Sequence, residues 1–372
     1  MDEPDVERRQ LLAASVVLPG WPARAAAAFD EAALAAVQAD IEAAIARRRL
    51  PGAVLWVERA GVSWSRVFGQ RAWEPELEPL MAEAVFDVAS LTKPVVTGAL
   101  SALLLERRVI GLDDPLRRHL PEFPAGAGPI TVRHLLSHTS GLPAILPLEP
   151  AWSGAGAAHA LACAAVPTHD PGTFFRYSDI NYILLGSLIE RVAGAPLAEL
   201  AQLEVLRPLA MNDSGYLPLE RHATSRLVPT EFDGATMLRG AVHDPAARRM
   251  GGIAGHAGLF STAADLARFA RSVLVDARWS GMSRNIAPAG LAQRGIGWDI
   301  DSPYSRPRGA NYPKGTSFGH TGYTGCAMWL DPASGSFYVF LSNRVHPRGS
   351  DSIVALYEQI GTGVARAVGL AG

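Results

Sequence analysis

Strand-forming segments lie near both ends of this 372-residue chain, whereas helical patterns fill most of the length between them. Short β-rich runs at 52–57 and 63–68 are joined by Ala60-Gly61, and a second pair occupies 325–330 and 336–342. Each pair is predicted to form an antiparallel hairpin. Because isolated hairpins are only marginally stable in water, we expect the two pairs to join in one antiparallel sheet. Two unrelated domains in series are therefore disfavoured.

Helical periodicity predicts the layers that cover this sheet. Apolar residues at helical spacing predict helices over 31–49, 90–107 and 351–368. The predicted fold class is α+β, with an antiparallel sheet flanked by helices and an inserted all-helical region. The predicted regions are a sheet domain of residues 30–115 and 290–372 and a helical insertion domain of residues 116–289.

Residues 1–29 form a separate segment. Arg8-Arg9 precedes a short apolar run at 11–18, and small residues follow, a pattern typical of an export leader of twin-arginine type. The alternative is a disordered arm, which the acidic residues before Arg8 favour. With a leader the protein is expected to be periplasmic or secreted, and without one it is expected to be cytoplasmic. Elsewhere no apolar run approaches the ~18 residues that cross a bilayer, so no membrane span is predicted.

Charge and cysteine content exclude several classes of protein. Lys and Arg total 34 and Asp and Glu total 36, so a net charge of −2 gives no electrostatic basis for a nucleic-acid partner. Two cysteines are too few for a disulfide-stapled scaffold or a multi-cysteine metal site. Cys163 and Cys326 are expected to be buried free thiols, with a disulfide between them as the alternative. We expect a small-molecule or peptide substrate and a monomer or weak oligomer.

Ser90-Leu91-Thr92-Lys93 opens the strongest predicted helix. Residues i and i+3 share one face of a helix, so the Ser90 hydroxyl and the Lys93 amine are predicted to lie side by side. Pro94 is tolerated only near the first turn, which places the hydroxyl at the positive end of the helix dipole. Both features favour negative charge on the serine oxygen, as a nucleophile requires. Taken alone, the tetrad also fits an N-cap serine followed by a surface lysine.

Two later segments carry groups that can complete such a site. Tyr177-Ser178-Asp179 precedes a helical run, and a phenol beside a lysine ammonium can shuttle a proton. Asp179 could hydrogen-bond the lysine or a substrate, or could cap the helix. His320-Thr321-Gly322-Tyr323 leads into a predicted strand, whose edge can align a substrate and offer a backbone N–H to an oxyanion. A tight turn before an ordinary strand is the other interpretation of this segment.

Together, the three segments resemble the motifs of the penicillin-recognising serine hydrolases, which comprise class C β-lactamases, DD-peptidases and related esterases. With further similar stretches, the resemblance covers roughly residues 35–368. It implies a β-lactamase/transpeptidase-like fold with an active site where the sheet meets the helical insertion. It also implies Ser90 as the nucleophile, Lys93 with Tyr177 as the acid/base pair, and the backbone N–H groups of Ser90 and Tyr323 as the oxyanion hole. Neither a metal nor a cofactor is implied.

Two positions depart from the family pattern. The second motif usually ends in Asn, and a carboxylate at Asp179 is expected to hold Lys93 as an ammonium ion and to repel an anionic substrate group. The third motif often begins with Lys, whereas His320 would supply a cation only when protonated. Both changes favour an esterase-like substrate without an essential carboxylate.

The predicted function is hydrolysis of an ester or amide through an acyl-enzyme on Ser90. An acyltransferase that uses the same acyl-enzyme and a slow penicillin-binding sensor are the alternatives. His134 and His138 are four residues apart on a predicted helix, but the segment between them lacks the Glu of an H-E-x-x-H zinc site, so they are interpreted as structural.

Overall fold

A computed structural model describes residues 29–124, 129–349 and 351–370. The predicted export leader therefore lies outside the described residues, apart from Phe29. Within those ranges, no helix combines the length and the apolar character that crossing a membrane requires. Cys163 and Cys326 are free and buried, as expected.

The strands form one large sheet and two small ones. In chain order they are β1 Gly52–Arg59, β2 Val62–Ala72, β3 Glu78–Pro79, β4 Phe86–Asp87, β5 Pro229–Asp233, β6 Thr236–Arg239, β7 Phe260–Ser261, β8 Gln293–Arg294, β9 Asp299–Asp301, β10 Phe318–Gly322, β11 Cys326–Asp331 and β12 Ser336–Ser342. The large sheet has eight strands in the order β3-β2-β1-β12-β11-β10-β9-β8. Its neighbouring strands are antiparallel throughout. β4 pairs with β7, and β5 pairs with β6.

Helices precede the sheet, follow it and fill much of the chain between β4 and β8. In chain order they are α1 Glu31–Ala46, α2 Ala99–Glu106, α3 Leu116–His119, α4 Val132–Leu136, α5 Ala155–Ala164, α6 Asp179–Ala193, α7 Leu197–Leu200, α8 Pro245–Arg249, α9 Ala263–Val275 and α10 Val354–Ala367. A 3-10 turn, Ala89–Leu91, and a π-helical segment, Lys93–Gly98, lead into α2. The helix predicted over 90–107 is therefore present, but only its later part is α-helical.

Both ends of the chain meet in the large sheet, which confirms the predicted α+β fold. β1 pairs with β12, with Ala53 opposite Ser342 and Arg59 opposite Ser336. The two predicted hairpins are β1–β2 and β11–β12. The rest of the chain therefore lies between two segments that pair in the same sheet.

Alternate residues of β1 face two different cores, as the two-residue period of a strand requires. Leu55 and Val57 lie in one core with Leu34 of α1 and Ile360 of α10. Val54 faces the larger core on the other side of the sheet. Because a fully buried Val or Leu contributes about 1.5–3 kcal/mol, this double burial holds the central strands firmly.

The larger core is shared by the sheet and the helical region. It includes Val339 of β12 together with Leu184 of α6 and Leu266 of α9, and α9 contacts β1, β11 and β12. The division into a sheet domain and a helical insertion over 116–289 remains a prediction. β10 contacts the 3-10 turn Ala89–Leu91, and this junction positions the site.

Candidate active site

A strained turn presents Ser90. Ala89 has a φ of 47°, in the left-handed region that residues other than glycine seldom adopt. The buried Asp87 carboxylate holds this turn by accepting hydrogen bonds from Ala89 N at 2.8 Å and from His243 N at 2.7 Å. Thr92 Oγ1 donates to Ala89 O at 2.7 Å. Ser90 is thereby fixed at the edge of a pocket.

Lys93 lies beside Ser90 on the same helical segment, as the i, i+3 spacing predicts. Its side chain is fully buried, and Nζ lies 3.0 Å from Ser90 Oγ. Nζ also lies 3.0 Å from His256 O and 2.7 Å from Asp179 Oδ1. The three N–H groups of the ammonium ion therefore have three oxygen partners, and the buried cation has a neutralising carboxylate.

The resting protonation of this cluster follows from burial and charge. Burial disfavours the charged lysine, but the Asp179 carboxylate and Tyr177 outweigh it and hold the pKa of Lys93 above its ordinary value. Burial raises the pKa of the Tyr177 phenol, and the Lys93 charge only partly opposes that rise. At neutral pH the site therefore holds a lysine ammonium ion beside a neutral phenol.

Aromatic stacking positions Tyr177. Its ring centre lies 4.4 Å from that of His138, and Tyr182 also stacks on His138 at 5.0 Å. His138 Nδ1 accepts a hydrogen bond from Ser178 N at 3.0 Å, which is a structural role. Lys93 Nζ lies 4.9 Å from the centre of the Tyr177 ring. The alcohol, the amine and the phenol of the three sequence segments therefore converge.

Strand β10 forms one wall of the pocket. His320, Thr321 and Tyr323 line it, whereas Gly322 lies against the backbone before Ser90. A Cβ atom on Gly322 would stand 2.4 Å from Val88 O, so only glycine allows this close approach. The role of Tyr323 in an oxyanion hole remains a prediction.

His320 does not supply the cation considered for the third motif. Its Nδ1 lies 2.7 Å from Thr321 O and donates to it, which leaves Nε2 as an acceptor. Burial, together with the charges of Arg294 and Lys93, lowers the pKa of His320 well below its ordinary value. The position therefore carries a neutral acceptor near neutral pH, and the role of His320 in substrate binding remains a prediction.

The pocket has a volume of about 600 Å³. Of the residues expected from sequence, those that line it are Ser90, Tyr177, Asp179, His320, Thr321 and Tyr323. Sequence reasoning did not select several other lining residues, namely Ile145, Glu231, Arg294, Asp299 and Tyr304. These residues belong to no contiguous motif, and tertiary packing alone brings them together.

The family model described as Beta-lactamase matches residues 37–360 of this chain. The chain belongs to the beta-lactamase family. A relative from Escherichia coli K12, provisionally named D-alanyl-D-alanine carboxypeptidase, is 28% identical over 307 residues, or 72% of this chain and 70% of the relative. This confirms the resemblance that the three motifs indicated.

Solved structures show the same fold. EstCE1, described as a hydrolase with promiscuous acyltransferase activity, matches with a TM-score of 0.71 and 22% identity, covering 91% of this chain and 99% of EstCE1. A class C beta-lactamase matches with a TM-score of 0.69 and 19% identity, covering 89% of this chain and 96% of that one. At these identities the likeness concerns the fold alone.

One ion pair of this beta-lactamase-family protein lies in the pocket wall. Arg294 and Asp299 face each other across β8 and β9, with 3.1 Å between Nη1 and Oδ1. The Arg294 side chain is 1% exposed, and its guanidinium nitrogens have no hydrogen-bond partner within the described ranges. The signal that could have found the pair is two opposite charges flanking the uncharged segment 295–298.

A cluster of possible metal ligands also belongs to this site. Asp179, Asp244 and His256 bring one ligand atom each within 4.8 Å of one another. His256 Nε2 lies 2.9 Å from Asp244 Oδ1, and Asp179 already contacts the Lys93 cation. Because that cation would repel a metal ion, these residues fit an ion-pair network better than a metal site.

Proposed function

We propose that this protein hydrolyses an ester or amide through a covalent acyl-enzyme on Ser90. The observation that carries the proposal is the 3.0 Å contact between Lys93 Nζ and Ser90 Oγ inside a pocket of about 600 Å³. A cation at that distance stabilises the negative charge that develops on the serine oxygen as it attacks a carbonyl. In this proposal Tyr177 exchanges a proton with the leaving group, and the N–H groups of Ser90 and Tyr323 bind the carbonyl oxygen.

The charges around the pocket favour a substrate without an essential carboxylate. Asp179, Glu231, Asp244 and Asp299 contribute four carboxyl groups to the lining. Only two cations, Lys93 beside Asp179 and Arg294 beside Asp299, pair with them, so the carboxyl groups in excess repel an anionic group. The neutral His320 offers no compensating charge. A neutral or cationic ester or amide is therefore the preferred substrate class.

A carboxypeptidase acting on peptides that end in D-alanine is the second candidate. Arg294 favours it, because its guanidinium lines the pocket and can bind a substrate carboxylate in bidentate fashion. Asp299 lies 3.1 Å from Nη1, but the N–H groups of Arg294 make no hydrogen bond within the described ranges. The name of the Escherichia coli relative points to the same activity.

Turnover of a chromogenic short-chain ester tests the hydrolase. We expect Ser90→Ala to lower kcat/KM by at least about 1,000-fold, since it removes the nucleophile, and Lys93→Ala to be similarly severe. A fluorescent penicillin that labels the wild type and not Ser90→Ala would mark Ser90 as the acylated residue. Stable labelling without turnover of any substrate would indicate the sensor instead.

Matched substrates separate the remaining alternatives. A peptide ending in D-alanyl-D-alanine, compared with its C-terminal amide, shows whether a carboxylate matters. Faster turnover of the free acid would support the carboxypeptidase, whereas equal or faster turnover of the amide would support the preferred class. An added alcohol that diverts product from free acid to a new ester would indicate acyl transfer.

Export is also proposed, on the leader-like pattern of residues 1–29. Recovery of a shortened protein from the periplasm or medium of an expressing cell would support it. Recovery of the full-length chain from the cytoplasm alone would contradict it.

A further inference from the structure

The contacts of Lys93 raise the question of where the Ser90 proton goes. Lys93 Nζ has oxygen partners in Ser90, Asp179 and His256, so an ammonium ion uses all three of its donors. An ammonium ion has no lone pair and cannot accept a proton. The neutral phenol of Tyr177 is not a base either. Lys93 must therefore release a proton before it can accept one from Ser90.

Asp179 is the acceptor nearest to that proton. Its Oδ1 lies 2.7 Å from Lys93 Nζ, closer than either other partner of the ammonium ion. Asp179 is the first residue of α6, and its backbone N donates to Ala144 O at 2.7 Å, while Ser178 caps the helix through Asn181 N. The carboxylate is thus held in place by the helix start.

We propose that Asp179 is the proton acceptor of a relay that runs from Ser90 through Lys93 during acylation. This inference rests on the proposed function, because it concerns the formation of the acyl-enzyme on Ser90.

The relay balances in protons and electrons. As Ser90 Oγ forms a bond to the substrate carbonyl carbon, its proton moves to Lys93 Nζ, and a different proton moves from Nζ to Asp179 Oδ1. The carbonyl π pair becomes the oxyanion. When the oxyanion collapses, the bond to the leaving group breaks with its electron pair. Asp179 then returns its proton to Nζ, and Nζ passes one to the leaving group through Tyr177.

The charges that face the Lys93–Asp179 pair come from several elements. Asp244 and His256 lie in the segment between β6 and β7. Arg294 lies on β8, and His320 lies on β10 in the same sheet. His138, Tyr177 and Tyr182 lie on the helical side. The Lys93 and Arg294 charges disfavour protonation of His138 and His320. Asp179 and Asp244 are the carboxyl groups of this cluster, and Asp179 contacts Lys93 Nζ.

The pH dependence of Asp179→Asn distinguishes the relay from a direct role of Lys93 as base. In the relay, the wild-type reaction uses the Asp179 carboxylate as the acceptor of the Lys93 proton. Asp179→Asn removes that acceptor, and Lys93 must then lose its proton to solvent. The acidic limb of kcat/KM is therefore expected to move to higher pH by at least about one unit, with activity recovering at alkaline pH.

The opposite shift would overturn the relay. If Lys93 acts as base only after losing its proton to solvent in the wild type, removing the Asp179 charge eases that loss and moves the acidic limb to lower pH. An equal fractional loss at every pH would indicate a structural role for Asp179 and would also overturn the relay.

Asp244→Asn is the matched control, because it removes a second nearby carboxylate that does not touch Lys93 Nζ within hydrogen-bonding distance. Loss of charge alone should move its acidic limb to lower pH, opposite to Asp179→Asn. Limbs that move in the same direction in both variants would contradict the relay.

Chemical rescue provides a readout that does not depend on the folding of the Asn variant. Formate should restore turnover to Asp179→Ala by occupying the vacated carboxylate position, and should not restore it to Lys93→Ala. Rescue of neither variant would count against the relay. If the wild type does not turn over the chromogenic ester, or if Ser90→Ala turns it over equally well, the proposed function itself fails, whereas Ser90-dependent turnover with a downward limb shift rejects the relay alone.

Discussion

Burial determines the protonation state of His320. The imidazole donates through Nδ1 to Thr321 O and stays neutral, because burial and the Arg294 and Lys93 charges lower its pKa well below the ordinary value. A group whose pKa lies well below 6.5 stays uncharged between about pH 6.5 and 8. We therefore expect His320→Gln, which keeps a neutral acceptor, to leave both limbs of the kcat/KM profile in that range where they are. Disappearance of a limb on substitution would show that His320 titrates after all.

At the same scale, sequence reasoning placed Ser90 and Lys93 side by side because residues i and i+3 share a helical face, and Lys93 Nζ lies 3.0 Å from Ser90 Oγ. The catalytic roles of Ser90, Lys93 and Tyr177 stay predictions. Sequence reasoning also foresaw that Asp179 would hold Lys93 charged, and the pKa of Lys93 is indeed raised. Arg294 escaped notice because its importance depends on the pairing of β8 with β9. The opposite charges that flank segment 295–298 pair only when this segment folds back and brings β8 beside β9.

Strand β10 lies close to the turn that carries Ser90 because Gly322 has no Cβ atom. A Cβ at this position would lie 2.4 Å from Val88 O, and a backbone oxygen cannot move without moving the turn. Gly322→Ala should therefore displace the β10 wall from Ser90. Because a misplacement of about 1 Å can cost about 100-fold in rate, kcat/KM for the ester should fall by that order, with the circular dichroism spectrum unchanged.

Gly156→Ala is the control for this substitution. Gly156 lies in α5, and a Cβ there would meet nothing within 4 Å. Alanine in place of a helical glycine should raise the free energy of unfolding by about 0.5–1 kcal/mol and leave kcat/KM unchanged. Equal activity losses in both variants would refute the steric account of Gly322.

Elements were predictable where a local pattern determines them. The hairpins β1–β2 and β11–β12 follow from β-rich runs around turn residues, and they are present as expected. The π-helical segment Lys93–Gly98 was not foreseen, because α and π turns share the same apolar residues. Gly98 is closely packed there, with a Cβ position 3.1 Å from Gly297 Cα, so tertiary contact accompanies the irregular turn.

For the whole molecule, the union of both chain ends in one sheet was predictable because an unpaired hairpin is unstable alone. The boundary between sheet and helical regions was harder to predict, because α9 lies in the predicted insertion yet packs on the sheet. The sequence of a helix with one apolar face does not indicate which layer of the fold that face will cover.

The shared core also couples the stability of the whole molecule to pH through His138. Burial, with the nearby Arg294 and Lys93 charges, lowers the pKa of His138 well below its ordinary value of 6.5. As pH falls below that value, the unfolded chain binds a proton that the folded chain does not, so the free energy of unfolding decreases. One such group contributes at most about 1.4 kcal/mol per pH unit.

His138→Asn removes this titration while tolerating the φ of 58° at that position and keeping an acceptor for Ser178 N. Urea unfolding at several pH values between about 6.5 and 5 should therefore show a shallower loss of stability in His138→Asn than in the wild type. His169→Asn, which makes the same substitution at an exposed histidine, is the control. Identical slopes in all three proteins would mean that His138 takes up a proton in the folded state, and the stack that positions Tyr177 would then have to accommodate a charge.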